Sequence, residues 1–314
     1  MTTRTRGVDV RPAVRGAPEA VTPARRPLAL GLAAVAAARP RQWPKNLLVF
    51  AAPLAGASLG RPNGFAYALV AAVAFTAASA AVYLINDVVD ADRDREHPAK
   101  RSRPVASGRL PVPLALGFAA IAIGLAVAAC VRISSPDLAG VIGIYIGLSI
   151  LYTLALKHIP VIEVAFVATG FVLRALGGAA ATHVPPSGWF LTVCSLGALM
   201  VAIGKRYTEL EVLGDGAARH RPVMRWYGLA GLRAGQRAVG GAMLASYLLW
   251  ALSEPDYWMR GWHLVSAAPL AVALMRFDRL TGLAENRPVE DLIARDPFML
   301  CSEVTWLTMF LVGL

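Results

Sequence analysis

Long runs of mostly apolar residues recur along the chain, among them Phe65 to Ile85, Leu138 to Leu156 and Pro160 to Ala181. Wound as a helix, about 20 apolar residues cross the hydrocarbon layer of a bilayer. The pattern predicts an all-α fold, a polytopic membrane helical bundle of about nine transmembrane helices. They are expected near residues 46–60, 64–86, 111–131, 138–157, 160–181, 189–206, 237–252, 262–276 and 298–314. The first, seventh and eighth are short for the task. Residues 1–27 carry six arginines among Pro, Ala and Gly with no periodic apolar face, and read as a disordered basic cytoplasmic tail. The stretch Leu28 to Ala38 reads as a helix at the membrane surface, although Arg25-Arg26 ahead of it also fits a twin-arginine export signal. Residues 28–314 then form a single transmembrane domain.

Composition narrows the choice. Hydrophobic residues make up 56% and charged residues 16% of 314, against about 25% charged in ordinary soluble domains, which excludes a disordered chain. A net charge of +11 would raise nucleic acid as a partner in a soluble protein. Here the charge has a membrane explanation and no nucleic acid is expected. With the amino terminus inside, 27 of the 31 Lys and Arg fall in cytoplasmic segments, Arg174 lies in a span, and Arg61, Arg132 and Arg260 lie outside. The reading is a multi-pass protein of the plasma membrane, in contact with membrane lipids, whose long loops 87–110 and 207–236 are cytoplasmic and carry the function. Cys130, Cys194 and Cys301 stand alone and read as packing residues. Gly56/Gly60 and Gly143/Gly147 are candidates for close helix approach, and Trp43, Tyr257, Trp258 and Trp262 for interfacial anchors. A homo-oligomer is compatible with this pattern, which does not fix the state of assembly.

The richest stretch is Asn86-Asp87-Val88-Val89-Asp90-Ala91-Asp92-Arg93-Asp94. If the second span continues as a helix, 86, 90 and 94 stack on one face with Asp87 beside Asp90. Carboxylates on one stripe repel, so a cation must compensate. Oxygen ligands without His or Cys favour Mg2+, which is commonly held by a few carboxylates plus a substrate's phosphates. The alternative is a solvated acidic loop neutralised by Arg93, Arg95 and Lys100. Immediately downstream, Lys100, Arg101 and Arg103 sit in a short turn-rich loop, where cations can take the phosphate oxygens a metal leaves free.

The pattern NDxxDxxxD, followed by His97-Pro98, Lys100-Arg101 and Arg103-Pro104-x-x-Ser107-Gly108, resembles the UbiA superfamily of intramembrane prenyltransferases, over about residues 39 to 314. The resemblance implies that Asn86, Asp87, Asp90 and Asp94 bind the Mg2+-diphosphate of a substrate, with the three aspartates as metal ligands and catalytic residues. Arg39-Pro-Arg-Gln-Trp-Pro-Lys-Asn46, Gly170-Phe-Val-Leu-Arg174 and Gly204-Lys-Arg-Tyr207 look like one branch of it. That branch moves 5-phosphoribosyl from phosphoribosyl pyrophosphate to a polyprenyl (decaprenyl) phosphate, for cell-wall arabinan. A second aspartate motif, usual in the family near the sixth span, is replaced here by Lys205, Arg206, Glu209 and Glu211.

Further substrate-binding candidates are Lys45, Tyr152, Lys157, Glu163 and Arg174, since ionisable groups at membrane depth usually face a cavity or the bundle interior. Lys157, Lys205 and Arg206 are expected at sugar or lipid phosphate, and Lys100 with Arg101 at diphosphate oxygens. Glu163 and Arg174 are eleven residues apart, roughly 16 Å along a helix, and cannot pair directly. Two other readings stay open: a UbiA-type enzyme joining a polyprenyl diphosphate to an aromatic acceptor, which should need a second acidic clamp, and a secondary transporter, which usually places its charges at mid-membrane.

Overall fold

The computed structural model describes residues 26–96, 100–217, 221–283 and 289–314, and no strand occurs among them. The tail expected over 1–27 falls outside the described residues except at its end, where α1 (Arg26–Ala37) already begins. Ala33, Ala34 and Ala37 of α1 are buried, whereas Leu28, Leu32 and Val35 are exposed. One face thus packs on the bundle and the other is left exposed.

The first expected span does not form as one helix. Residues Pro40–Phe50 make an eleven-residue 3₁₀ segment that runs into a single helical turn or so, α2 (Ala51–Ala55). Pro44, inside the segment, opposes an α-helix there, since proline lacks the N–H that an α-helix needs and clashes with the preceding turn. The next helices follow the apolar runs closely: α3 (Gly64–Val89), the short α4 (Ala91–Glu96), α5 (Val112–Arg132), α6 (Pro136–Leu154), α7 (Ile162–Thr182) and α8 (Gly188–Leu213). Two 25-residue helices, α9 (Leu229–Ser253) and α10 (Tyr257–Thr281), precede α11 (Val289–Arg295) and α12 (Pro297–Val312).

Among the described residues five helices, α3, α5, α6, α7 and α8, are long and apolar enough to cross a membrane. These five establish a polytopic bundle and leave the expected count of nine unconfirmed. The ends of α9 and α10 are charged, which is why apolar periodicity alone placed them too short. Arg233 of α9 lies 3.2 Å from Asp278 of α10, and Arg237 3.1 Å from the same carboxylate, so the two helices neutralise each other's ends.

The central helix is α3. Ala68, Ala71, Ala74, Phe75, Ala78, Ala81 and Val82 are buried at helical spacing, and α3 packs against α5, α6, α7 and the 3₁₀ segment. Small side chains let neighbouring backbones close in. A Cβ at Gly177 would strike the Phe75 ring, one at Gly178 the Val49 carbonyl and one at Gly56 the Val184 side chain, so of the pairs expected only Gly56 marks a close approach, whereas Gly60, Gly143 and Gly147 face open space. Side-chain caps start α6 (Ser135), α8 (Ser187), α10 (Asp256) and α12 (Asp296), each accepting from the N–H three residues on.

Candidate active site

The carboxyl end of α3, the loop 100–110, the 3₁₀ turn Leu156–His158, the start of α7 and the end of α8 together carry the ionisable residues. At the end of α3 the helix pauses at Asp90 (φ −92°, ψ 4°), but Asp90 N–H still donates to the Asn86 carbonyl and Asp94 N–H to that of Asp90. The helical phase therefore survives the joint between α3 and α4. Asp87 and Asp94, seven residues apart, are both buried and converge on Arg103, whose Nη1 lies 3.4 Å from Asp87 Oδ1 and 2.6 Å from Asp94 Oδ2. Arg39 Nη2 also donates to Asp87 Oδ1, at 2.5 Å.

Asp90 faces elsewhere. Its carboxylate accepts from Lys157 Nζ at 3.0 and 3.3 Å. Asn86 Oδ1 is 2.5 Å from the Thr153 hydroxyl. Val89, Asp90, Arg93, Thr153, Lys157 and His158 are among the residues lining an open cleft of about 270 Å³ between α3 and α6. No group of three or more acidic, His or Cys side chains fit to hold a metal occurs among the described residues. The triad expected of Asp87, Asp90 and Asp94 is thus divided into a converging pair and a neighbour. Two carboxylates meeting at one cation nevertheless suit Mg2+, which is usually held by one or two carboxylates with water and phosphate completing its shell.

A second cluster is centred on Glu163, which is fully buried. Arg206 Nε lies 2.7 Å and Arg221 Nη1 2.9 Å from its two oxygens, and Tyr227 OH lies 3.3 Å away. Glu209 also pairs with Arg206 and lies 3.9 Å from Arg221. Arg221 Nη1 lies 3.5 Å from the hydroxyl of Tyr152, whose ring stacks on Phe166. Burial alone would lower the Arg221 pKa, but Tyr152, Glu209 and Glu163 together raise it, so it stays charged. Burial pushes the Tyr227 phenol up, which keeps its proton on.

Lys100 is half-buried and feels charges of both clusters. Burial and then the Arg103 charge lower its pKa, Arg221 adds to this, and Asp94 and Asp90 oppose it. Among the other expected residues, Lys45 lies 5.8 Å from the Phe171 ring, Lys205 is half-buried, and Arg101 is exposed. Arg206, expected at phosphate, is committed to Glu163 and Glu209. Arg174 is buried far from Glu163, as the spacing required, and donates to Asn46 and to the Gly170 carbonyl. His97 lies outside the described residues.

No sequence pattern singles out Arg39, Thr153, Arg221 or Tyr227 as site residues, and Arg103 stands out no more than its loop neighbours Lys100 and Arg101. Arg39 adopts left-handed backbone (φ 53°) before Pro40, and loop residues carry no helical phase that would show which of them turns inward.

Residues 46–291 match the UbiA prenyltransferase family. The chain belongs to this family. It is 38% identical over 279 residues to decaprenyl-phosphate phosphoribosyltransferase of Mycobacterium tuberculosis, covering 87% of this chain and 91% of the relative. It is 35% identical over 277 residues to the protein of the same name in Corynebacterium glutamicum, covering 87% and 83%. A UbiA homolog from Archaeoglobus fulgidus, solved bound to GPP and Mg2+, superposes with a TM-score of 0.66 at 15% identity, over 90% of this chain and 98% of the other. That likeness carries the fold.

Proposed function

We propose that this UbiA-family chain transfers 5-phosphoribosyl from phosphoribosyl pyrophosphate to a polyprenyl phosphate such as decaprenyl phosphate, releasing diphosphate, on the cytoplasmic face of the plasma membrane. The observation that carries the reading is the pairing of an acid cluster with a neighbouring cation cluster, in a chain similar over most of its length to proteins of that name. Cell-wall arabinan synthesis is the role this product would serve.

Asp87 and Asp94 would hold Mg2+, which when bound neutralises diphosphate and makes it a better leaving group. Arg103 and Arg39 hold the same carboxylates, and on donor binding their donors turn to phosphate oxygens as charge-assisted hydrogen bonds. The anomeric C–O bond breaks, its electron pair leaves with diphosphate, and the ribose ring takes up positive charge. The Asp90 carboxylate at the cleft wall stabilises that charge. An oxygen of the lipid phosphate then forms the new bond to the anomeric carbon. Because this nucleophile is already ionised, no strong general base is needed. Both substrates are anions, and Lys100, Lys157 and Arg221 offset their repulsion. The long lipid chain stays in the bilayer while its phosphate sits at the rim.

An aromatic prenyltransferase would need a second acidic clamp near the end of α8. There Glu163 and Glu209 are occupied by Arg206 and Arg221, which disfavours that reading. The test is transfer of labelled ribose 5-phosphate from donor to polyprenyl phosphate by the purified chain with Mg2+. Transfer is expected, and Asp90→Asn should abolish it while the apparent Tm is retained. Absence of labelled lipid, or full activity in Asp90→Asn, would refute the proposal.

A further inference from the structure

The buried guanidinium of Arg174 is held only by neutral groups among the described residues. Its Nε donates to Asn46 Oδ1 at 2.8 Å and its Nη1 to the Gly170 carbonyl at 2.6 Å. Its Nη2 lies 3.1 Å from Tyr145 OH and 3.3 Å from Ser79 Oγ, and the guanidinium sits 4.9 Å from the centre of the Tyr145 ring. These partners come from α3, α6, α7 and the 3₁₀ segment Pro40–Phe50, so one side chain ties four elements. Burying a cation this way is costly, and a purely structural cross-link could have used a neutral amide.

The segment it ties has little reason to hold its shape alone. Runs of 3₁₀ helix beyond three or four residues are uncommon because the hydrogen-bond geometry is poor, and this one has eleven. Its tertiary anchors are specific. Asn46, 3% exposed, bonds Arg174 through its oxygen and donates through Nδ2 to Thr76 Oγ1 at 3.0 Å. The Val49 carbonyl rests where Gly178 has no side chain. At the other end, Arg39 reaches Asp87 at 2.5 Å.

We infer that Arg174 is a positioning residue: by gripping Asn46 it fixes the 3₁₀ segment so that Arg39, and with it Lys45, is presented to the pyrophosphate donor. The inference rests on the phosphoribosyltransferase reading for the identity of that donor. Seven residues of 3₁₀ rise separate Arg39 from Asn46, roughly 14 Å, so Arg174 acts through the segment and not by touching diphosphate.

The test uses the full chain in lipid nanodiscs. Arg174→Gln is expected to raise KM for phosphoribosyl pyrophosphate about tenfold while KM for polyprenyl phosphate stays within about twofold, the size expected when a charge-assisted tether is lost. Trypsin gives a readout independent of turnover. Cleavage at Lys45–Asn46 should quicken about tenfold, with Arg225–Trp226 as the unchanged control site. Asn46→Ala should reproduce both effects, and adding Arg174→Gln to it should add little. Equal rises in both KM values, unchanged cleavage at Lys45, or fully additive effects would each overturn the assignment. If Arg174→Gln fails to assemble, Asn46→Ala carries the test by itself. Should the unaltered chain transfer no ribose phosphate, the activity reading fails, while the tryptic pattern still decides whether Arg174 holds the segment.

Discussion

Replacing Arg103 by alanine removes a guanidinium that touches both buried carboxylates, Asp94 at 2.6 Å and Asp87 at 3.4 Å. In the proposed function those hydrogen bonds pass to diphosphate oxygens on donor binding, so the variant is expected to lose a charge-assisted contact in the complex. Such contacts are worth about 1.5–3 kcal/mol. Arg103 is 29% exposed, which favours the lower half of that range. At about 1.4 kcal/mol per decade, KM for phosphoribosyl pyrophosphate should rise roughly tenfold to fortyfold. The sign for metal is opposite. Asp87 and Asp94 lose their cation, so Mg2+ meets a more negative site, and half-maximal activity should need about threefold less of it. Arg101, exposed at the surface, should change either quantity by less than about twofold when replaced by alanine. Steady-state transfer assays across donor and Mg2+ concentrations measure all of this. An Arg101→Ala defect larger than that of Arg103→Ala, or a raised Mg2+ requirement in Arg103→Ala, would refute the reasoning.

Three other outcomes follow from the same geometry. Glu163→Gln leaves Arg206 buried without its full counter-charge, and breaking such a buried pair costs about 3–5 kcal/mol; a fall of several degrees in apparent Tm is expected, and an unchanged Tm would show the cluster to be electrostatically slack. Lys100, its pKa lowered by burial and by Arg103, loses its charge at a lower pH than an ordinary lysine, so kcat/KM for the donor should fall on the alkaline side. Lys100→Arg, which stays charged, should move that limb upward, and an unmoved limb contradicts the role. The hydrogen bond from Arg276 holds the Asp296 carboxyl below its usual 3.8. Its stabilisation is therefore complete above the unfolded value and lost as pH falls through the folded one. Asp296→Asn should lower Tm at pH 7, with the gap to the unaltered chain closing below about pH 4; a gap independent of pH would be evidence against the pair.

What the sequence reveals depends on which physical rule governs each part. The helices α3, α5, α6, α7 and α8 are legible because bilayer thickness imposes one length and one composition on every span. Where two charged helix ends neutralise each other, as at Arg233, Arg237 and Asp278, the hydropathy signal stops early although the helix continues. The 46–60 stretch misleads for the converse reason: it is apolar enough for a span, but its start lies in a 3₁₀ segment in which Pro44 opposes an α-helix. Helical phase separated Glu163 from Arg174, but it stacked 86, 90 and 94 with Asp87 beside Asp90, whereas Asp87 and Asp94 meet at Arg103 and Asp90 turns to Lys157.

The basic half of the site was much less legible. Each arginine there must find an anion or a ring of acceptors, and the choice among Lys100, Arg101 and Arg103 is made by a loop whose backbone has no period. The fold chose Arg103 for the acids, left Arg101 outside, and set Arg206 against Glu163, so a residue expected to greet phosphate instead balances a carboxylate. Arg221 then stands closer to the rim, 30% exposed, with Tyr152 beside it. A half-exposed cation backed by a buried acid can exchange partners with an incoming anion at lower cost than a fully buried one, because less desolvation has been committed. On that argument we propose Arg221, rather than Arg206, as the cation of the second cluster to meet the lipid phosphate, with the buried Glu163–Arg206 pair as the frame that aims it.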